Sequence, residues 1–386
     1  MSRLTQAPTM SRNSTTSTHL HVRARSLGIV LGRHPTGRHN AITDVSGVRV
    51  GHATLISGHG PLVVGKGPVR TGVTVIVPAG GDVWNSKLMA GGFVLNGNGE
   101  AAGLMWILES GILETPIALT NTLNVGTVQK ALVDWMIERH PAIGVTDDTL
   151  SPVVFECDDG SLNDIRGQHV KCKHVFAALR GASSGPVAEG AVGAGTGMMT
   201  YEFKGGIGTS SRRLRRQNGG YTVGVLLNAN HGKRPLLRVK GVCVGERISD
   251  LMPGKPQEGS IVVVIATDAP LDSRQLCRLA KRAMLGIART GAVATHGSGD
   301  VAVAFSTANR VPHYPKKPTF RVELLSDFFL DPLFEAAAEA AEEAVLNALL
   351  AATTTVGRDG NTAHALPQDR LLELLRWHRA VPGETP

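Results

Sequence analysis

Short apolar runs separated by glycine-containing turns make up most of residues 23–270, a pattern typical of β-strands. Strands are predicted at 46–51, 72–78, 93–95, 117–119, 153–156, 221–227, 237–244, 261–265 and 301–306. Apolar positions with helical spacing predict helices at 100–110, from 125 onward, at 273–289, from 331 onward and at 369–379. Because the helices are grouped and do not alternate strictly with the strands, the pattern favours an α/β protein of layered sheets covered by helices.

No repeat interrupts this pattern, and no linker is long enough to separate two domains. An α/β fold can fill most of a chain of 386 residues as one domain. We therefore predict a disordered leader at residues 1–22 and a single domain at residues 23–386.

The net charge of +8 is concentrated in two places. Residues 1–40 contain six arginines and no acidic residue, and residues 211–216 contain four more arginines. The basic, glycine-rich segment 204–220 is predicted to be an exposed loop. Only 4% of the residues are aromatic, and none lie among these arginines, which disfavours stacking on nucleic-acid bases. We expect no nucleic-acid partner.

The cysteines also limit the class of protein. Cys157, Cys172, Cys243 and Cys277 form no Cys-x-x-Cys pair and have no histidine at a zinc-binding spacing. Free thiols in a reducing compartment are the simplest interpretation, so a cytoplasmic location is predicted. The amino-terminal residues lack the apolar core of a secretory signal, although their Arg, Ser and Thr content overlaps with that of a mitochondrial transit peptide. No apolar run predicts a membrane span.

Two glycine-rich segments approach known catalytic motifs but lack essential residues. Residues 60–67 nearly match a phosphate-binding P-loop, yet Gly67 stands where Ser or Thr would bind Mg²⁺, and a strand follows in place of a helix. The sequence Gly297-Ser298-Gly299 lacks the spacing of a hydrolase nucleophile elbow and also leads into a strand. A supporting role for Ser298 stays open.

The Gly259-Ser260 pair joins a polar segment to the β-branched run 261–265, which is predicted to be a strand buried on both faces. Alone, such a pair is typical of an ordinary loop end. A serine at the edge of a rigid sheet can also be a nucleophile. Which interpretation holds depends on the polar side chains elsewhere in the chain.

Four other side chains are candidate partners, each with an ordinary alternative. Ser298 and Asp300 are two residues apart and would share one face of a strand, although a local turn is the commoner arrangement. Glu156 ends an apolar strand and could receive an ammonium group, although an acidic turn or a calcium-like cluster of acids would look the same. Asn230 follows a strand and could donate its amide to an oxyanion, or serve only a turn.

Taken in order, ten segments resemble the DmpA-like aminopeptidases, which comprise the L-aminopeptidase/D-amino-acid esterase-amidases and the β-peptidyl aminopeptidases. The resemblance runs from about residue 23 to the carboxyl-terminal helices. It is carried by NAITDV (40–45), VGH (50–52), GPVRTGVT (67–74), LNGNGE (95–100), LTNT (119–122), DGSLNDI (159–165), EGAVGAGTGM (189–198), NANHG (228–232), GSIVVVIATDAPL (259–271) and GSGDVAVAFST (297–307).

The resemblance implies a four-layer α-β-β-α sandwich, shared with ornithine acetyltransferase. It implies self-cleavage between Gly259 and Ser260 into residues 1–259 and 260–386, and a homotetramer of processed protomers. Ser260 would be the nucleophile, and Ser298 and Asp300 would assist it. The remaining implied site residues are Asn230 in the oxyanion hole, Glu156 at the substrate's amine and Asp158, where some members have Tyr and where an acid would favour a more basic substrate.

The chemistry of these residues agrees with a serine aminopeptidase or amidase acting on small peptides, amides or esters with a free amine. Cleavage would free an α-amino group with a pKa of roughly 7.7–8.0, which suits a general base at neutral pH. No metal and no cofactor is required. The alternatives are an acyltransferase related to ornithine acetyltransferase, which uses Thr as its nucleophile, and a non-catalytic or nucleic-acid-associated protein that uses its basic tail and loop.

Overall fold

The computed structural model describes residues 22–254 and 259–382. The strands are β1 (Arg49–Ser57), β2 (Val69–Val77), β3 (Ser86–Gly97), β4 (Ala101–Ala102), β5 (Ile112–Leu113), β6 (Ile117–Asn121), β7 (Val153–Cys157), β8 (Met199–Thr200), β9 (Phe203–Lys204), β10 (Gly206–Arg213), β11 (Thr222–Asn230), β12 (Arg238–Val239), β13 (Val242–Cys243), β14 (Ser260–Thr267), β15 (Gly299–Pro312), β16 (Thr355–Val356) and β17 (Thr362–Ala363). The helices are α1 (Leu104–Ser110), α2 (Val125–Arg139), α3 (Cys172–Arg180), α4 (Val244–Arg247), α5 (Ser273–Arg289), α6 (Asp331–Ala351) and α7 (Gln368–Trp377).

Two sheets form the centre of the molecule. One has five strands in the order β1-β2-β6-β7-β4, and the other has six in the order β10-β11-β14-β15-β3-β5. In the six-stranded sheet β14 lies between β11, which is antiparallel to it, and β15, which is parallel. The predicted strand 261–265 is therefore central.

Three layers of apolar side chains separate four layers of secondary structure. Val262 and Val264 of β14 point to the core between the two sheets. Ile261 and Val263, on the opposite face of the same strand, pack with α5 and α6. The outer face of the five-stranded sheet packs against α2 and α3. Because β14 is buried on both faces, its sequence is a continuous apolar run with no polar alternation. The observed order α-β-β-α agrees with the predicted sandwich.

Two predicted elements differ from the structure. The helix expected at 100–110 begins only at Leu104, because residues 101–102 pair with β7 as strand β4. The strand expected at 237–244 is a small hairpin, β12 and β13, which turns at Lys240 and Gly241, both with positive φ. Glycine tolerates that backbone conformation and so marks the turn.

The prediction of an exposed basic loop at 204–220 is wrong for residues 204–213, whereas residues 215–220 form an exposed or half-buried turn. Residues 206–213 are strand β10, and Arg212 is fully buried. Its guanidinium contacts Glu339 at 3.0 Å and Glu343 at 2.7 Å, both on α6. The buried charge is neutralised by acids that are distant in sequence, so local composition gave no sign of it.

The predicted leader, residues 1–22, lies outside the described residues except for residue 22. The adjoining Arg23 is anchored, since its Nε lies 2.7 Å from an oxygen of the buried Glu189 carboxylate. Within residues 22–254 and 259–382, no helix is long and apolar enough to cross a membrane.

Candidate active site

Ser260 is the first residue of β14, in the six-stranded sheet. Its side chain is buried, with 7% of the residue exposed. The Gly299 N–H donates to Ser260 Oγ over 3.1 Å, and Asn230 is the cross-strand partner of Ser260. A rigid sheet therefore fixes this hydroxyl, as a nucleophile requires.

The position before it accepts only glycine. A Cβ on Gly259 would lie 1.8 Å from the carbonyl oxygen of Asn230 and 2.7 Å from Cα of His231. Because real Cβ contacts are much longer, a side chain there would push the chain away from β11. The close approach places the Gly259-Ser260 peptide directly against the oxyanion-hole candidate Asn230.

Ser298 and Asp300 meet beside Ser260. The Ser298 hydroxyl donates to Asp300 Oδ1 over 2.8 Å, and the intervening Gly299 supplies the N–H that reaches Ser260. Burial raises the pKa of the Asp300 carboxyl, and the hydrogen bond from Ser298 opposes that shift. The buried Asp300 Oδ2 has no hydrogen-bond partner among the described residues. This arrangement can hold or pass a proton next to the nucleophile.

The Asn230 side chain is held from both ends. Its Oδ1 accepts the Met199 N–H over 2.8 Å, which orients the amide nitrogen. That nitrogen donates one hydrogen to the Asp158 carbonyl over 2.8 Å. An amide nitrogen carries two hydrogens, so the second can be offered to an oxyanion.

Glu156 is the penultimate residue of β7, in the five-stranded sheet. It is buried, and its two oxygens accept from the Glu100 N–H over 3.0 Å and from the Thr122 hydroxyl. Burial raises the pKa of this carboxyl, and the Thr122 hydrogen bond partly offsets the effect. The side chain of Asp158, two residues on, is exposed and accepts the Gly160 N–H over 2.7 Å. The structure thus brings all the sequence-predicted site residues into one region.

Residues 40–363 match the model of peptidase family S58. This match covers well over half of the chain. The chain belongs to peptidase family S58. It is 45% identical to a β-peptidyl aminopeptidase, BapA, of Sphingosinicella microcystinivorans, over 93% of each chain.

Two solved structures have the same fold as this S58 chain. A β-aminopeptidase from Burkholderia sp. superimposes with a TM-score of 0.86 at 50% identity, covering 92% of this chain and 98% of that one. The L-aminopeptidase D-Ala-esterase/amidase from Ochrobactrum anthropi gives 0.87 at 43% identity, covering 93% and 99%. These matches confirm the predicted family, the layered α/β fold and the class of serine-type aminopeptidase hydrolase.

Sequence reasoning missed a buried lysine that supports the S58 site. Lys204 Nζ donates to the carbonyls of Gly195, Met198 and Gly205 over 2.8–3.0 Å, and so fixes the backbone at Met198. The N–H of the next residue, Met199, donates to Asn230 Oδ1. Burial lowers the pKa of Lys204 to about 7, with Asp159 acting in the opposite direction. The only sequence signal for this carbonyl-binding role is that Lys204 follows the glycine cluster 190–197. Composition alone does not distinguish a buried lysine from an exposed one.

The side chain of Asn96 was also missed, although it lies in a motif that carries the resemblance. Alternating Asn and Gly at 96–99 is ordinary turn chemistry, so no role could be assigned from sequence.

Among residues 22–254 and 259–382, no group of three or more His, Cys, Asp or Glu side chains is placed to hold a metal ion.

Proposed function

We propose that this S58 protein is a self-processing aminopeptidase whose nucleophile is Ser260. It cuts its own chain between Gly259 and Ser260, then releases amino-terminal residues from small peptides, amides or esters with a free amine. One observation carries the proposal: the Ser260 hydroxyl accepts the N–H of Gly299, which lies between the paired Ser298 and Asp300, and Asn230 is the cross-strand partner of Ser260.

Maturation begins with attack of Ser260 Oγ on the Gly259 carbonyl carbon. The C–N bond breaks as the C–O bond forms, and the hydroxyl proton passes to the leaving nitrogen. Water then hydrolyses the resulting ester, leaving a carboxylate on Gly259 and a free α-amino group on Ser260. The absence of a side chain on Gly259 lets the peptide approach β11 closely enough for this geometry.

In turnover, the freed α-amino group of Ser260 acts as the general base for its own hydroxyl. Its pKa of roughly 7.7–8.0 in an unperturbed chain is well placed for this role near neutral pH. The second hydrogen of Asn230 Nδ2 stabilises the tetrahedral oxyanion, and Ser298 with Asp300 orients the attacking group. The acyl-enzyme ester on Ser260 is finally hydrolysed.

Glu156 binds the substrate's ammonium group, because it is a buried carboxylate at the edge of the site. Asp158 adds an exposed carboxylate two residues away, and it favours substrates with a second positive charge. The β-peptidyl aminopeptidase activity named for the relatives supports peptides as the substrate class.

The experiment that tests the proposal is Ser260→Ala in the full chain. The wild-type chain should run on a denaturing gel as fragments of residues 1–259 and 260–386, and the smaller should begin with Ser260. The variant should stay intact and inactive. Ser57→Ala, at an exposed serine at the end of the edge strand β1, is the control and should cleave as wild type. Cleavage of Ser260→Ala at the same bond would refute the proposal.

We also propose that processed protomers assemble into a tetramer in the cytoplasm. Exposed apolar side chains support self-association, among them Phe328 at 95% exposure and Met105 at 87%. The four cysteines are free thiols, in keeping with a reducing compartment. Light scattering on the processed protein would test the tetramer, and a monomer at micromolar concentration would refute it.

A further inference from the structure

The two sides of the site belong to different sheets. Ser260 and Asp300 lie on the six-stranded sheet, whereas Glu156 lies on the five-stranded sheet. Residues 96–100, here called the crossover segment, leave β3 in the first sheet and enter β4 in the second. The crossover segment is thus a direct covalent connection between the two sides.

On the serine side, the crossover segment holds the turn that carries Ser298. Asn96 Nδ2 lies 2.7 Å from the carbonyl oxygens of Thr295 and Ser298, and 3.3 Å from that of His296. Asn98 Nδ2 donates to the Gly297 carbonyl over 2.8 Å. Four consecutive carbonyls therefore face two amide side chains, and this fixes the turn relative to β3.

On the other side, the crossover segment holds the carboxylate of Glu156. The Glu100 N–H donates to Glu156 Oε1 over 3.0 Å. A Cβ on Gly99 would lie 2.7 Å from the same oxygen and 3.8 Å from Cα of Gly299. Gly99 therefore lies between Glu156 and Gly299, and the N–H of Gly299 donates to Ser260 Oγ. Only a residue without a side chain leaves Glu156 in its observed position.

We infer that the crossover segment sets the separation between the Glu156 carboxylate and the Ser260 hydroxyl, with Asn96 and Gly99 as positioning residues. This inference rests on the proposed function, in which Glu156 binds the amine and Ser260 attacks the carbonyl. An α-amino acid has one carbon between these groups, and a β-amino acid has two. The segment consequently controls which of the two substrate classes reacts.

Gly99→Ala tests the inference directly. The added methyl group displaces the Glu156 carboxylate away from Gly299, which lengthens the span and favours the longer substrate. Relative to wild type, the ratio of kcat/KM for β-alanine p-nitroanilide to that for L-alanine p-nitroanilide should rise about tenfold, mainly through KM. Gly80→Ala is the matched control, because its Cβ would meet only Cα of Gly47 at 3.9 Å; it should keep the wild-type ratio.

Asn96→Asp provides a second, nearly isosteric variant that acts on the serine side. It replaces the donor nitrogen by an oxygen facing three carbonyls, so the turn shifts and kcat falls about tenfold on both substrates while KM changes little. An active wild-type enzyme whose Gly99→Ala and Asn96→Asp variants keep its ratio and its kcat would overturn the inference alone. A correctly cleaved wild-type protein inactive on both substrates would overturn the proposed function and the inference with it.

Discussion

In the proposed function Glu156 must be charged to bind an ammonium group, yet the protein buries its carboxyl. Two donors, the Thr122 hydroxyl and the Glu100 N–H, stabilise the charged form, while burial favours the neutral one. Burial is the larger effect, so the pKa of Glu156 lies above that of an ordinary glutamate. The same burial strengthens the attraction to a substrate cation, because little water screens it.

A pH dependence of substrate binding follows. Glu156 is ionised above its pKa and loses its charge as the pH falls through it. Because that pKa is raised, KM for a free-amine substrate should begin to rise at a higher pH than an ordinary glutamate would give. Initial rates between pH 4 and 8 measure the effect. In Glu156→Gln, KM should be high and should not change over this range; a wild-type-like profile in this variant would contradict the assignment.

Asp158 gives a second prediction at the residue scale. Its carboxylate is exposed, so its attraction to a substrate charge is weakened by water. Asp158→Asn should lower kcat/KM for a lysine p-nitroanilide by about twofold to fivefold, and leave that for the alanine compound unchanged. High salt should reduce the wild-type preference in the same way. An equal loss on both substrates would instead indicate that the variant disturbs the Asn230 contact with the Asp158 carbonyl.

Strand β10 and helix α6 are joined by a buried ionic network. Arg212 contacts Glu339 and Glu343, and Glu343 also accepts from Arg25 at the amino-terminal edge of the described chain. Arg212→Met would leave two buried carboxylates without this partner, so we expect a loss of about 3–5 kcal/mol in the free energy of unfolding. Urea unfolding measures it.

The pair of Arg33 and Glu335 is the control for this network. The Arg33 side chain is 75% exposed, although its ion pair is short at 2.5 Å. Because water already solvates both charges, Arg33→Ala should leave the urea midpoint almost unchanged. If Arg212→Met and Arg33→Ala lowered the free energy of unfolding equally, the buried network would contribute no more to stability than an exposed ion pair.

Strands β14 and β10 and helix α5 show what local sequence can and cannot predict. The expected strand at 261–265 and helix at 273–289 agree with β14 and α5, because their apolar spacing follows from burial of one or both faces. Strand β10 was missed because the acids that neutralise Arg212 lie 127 and 131 residues away. A basic, glycine-rich sequence is exposed unless a distant partner is present, and no local pattern reports that partner.

At the scale of the whole molecule, the resemblance to the DmpA-like aminopeptidases predicted the four layers and the candidate site residues. The pattern of apolar residues predicted only layered sheets covered by helices. Sheet order joins β3, near residue 90, to β15, near residue 300, and no periodicity contains that pairing. The support of the site by Asn96 and Lys204 depends on this order and on the turns it brings together. These contacts therefore required the structure.

The topology also predicts the behaviour of the cut protein. Cleavage after Gly259 would assign β14, β15 and α6 to one fragment and β3, β10 and β11 to the other. Yet β14 pairs with β11 along its whole length, β15 pairs with β3, and α6 packs against both β10 and β11. Separating the fragments would expose the centre of the six-stranded sheet, so they cannot part without unfolding. In native gel filtration both fragments should co-elute at the volume of uncut Ser260→Ala, and separate only in denaturant. Separate elution of folded fragments in native buffer would contradict this arrangement.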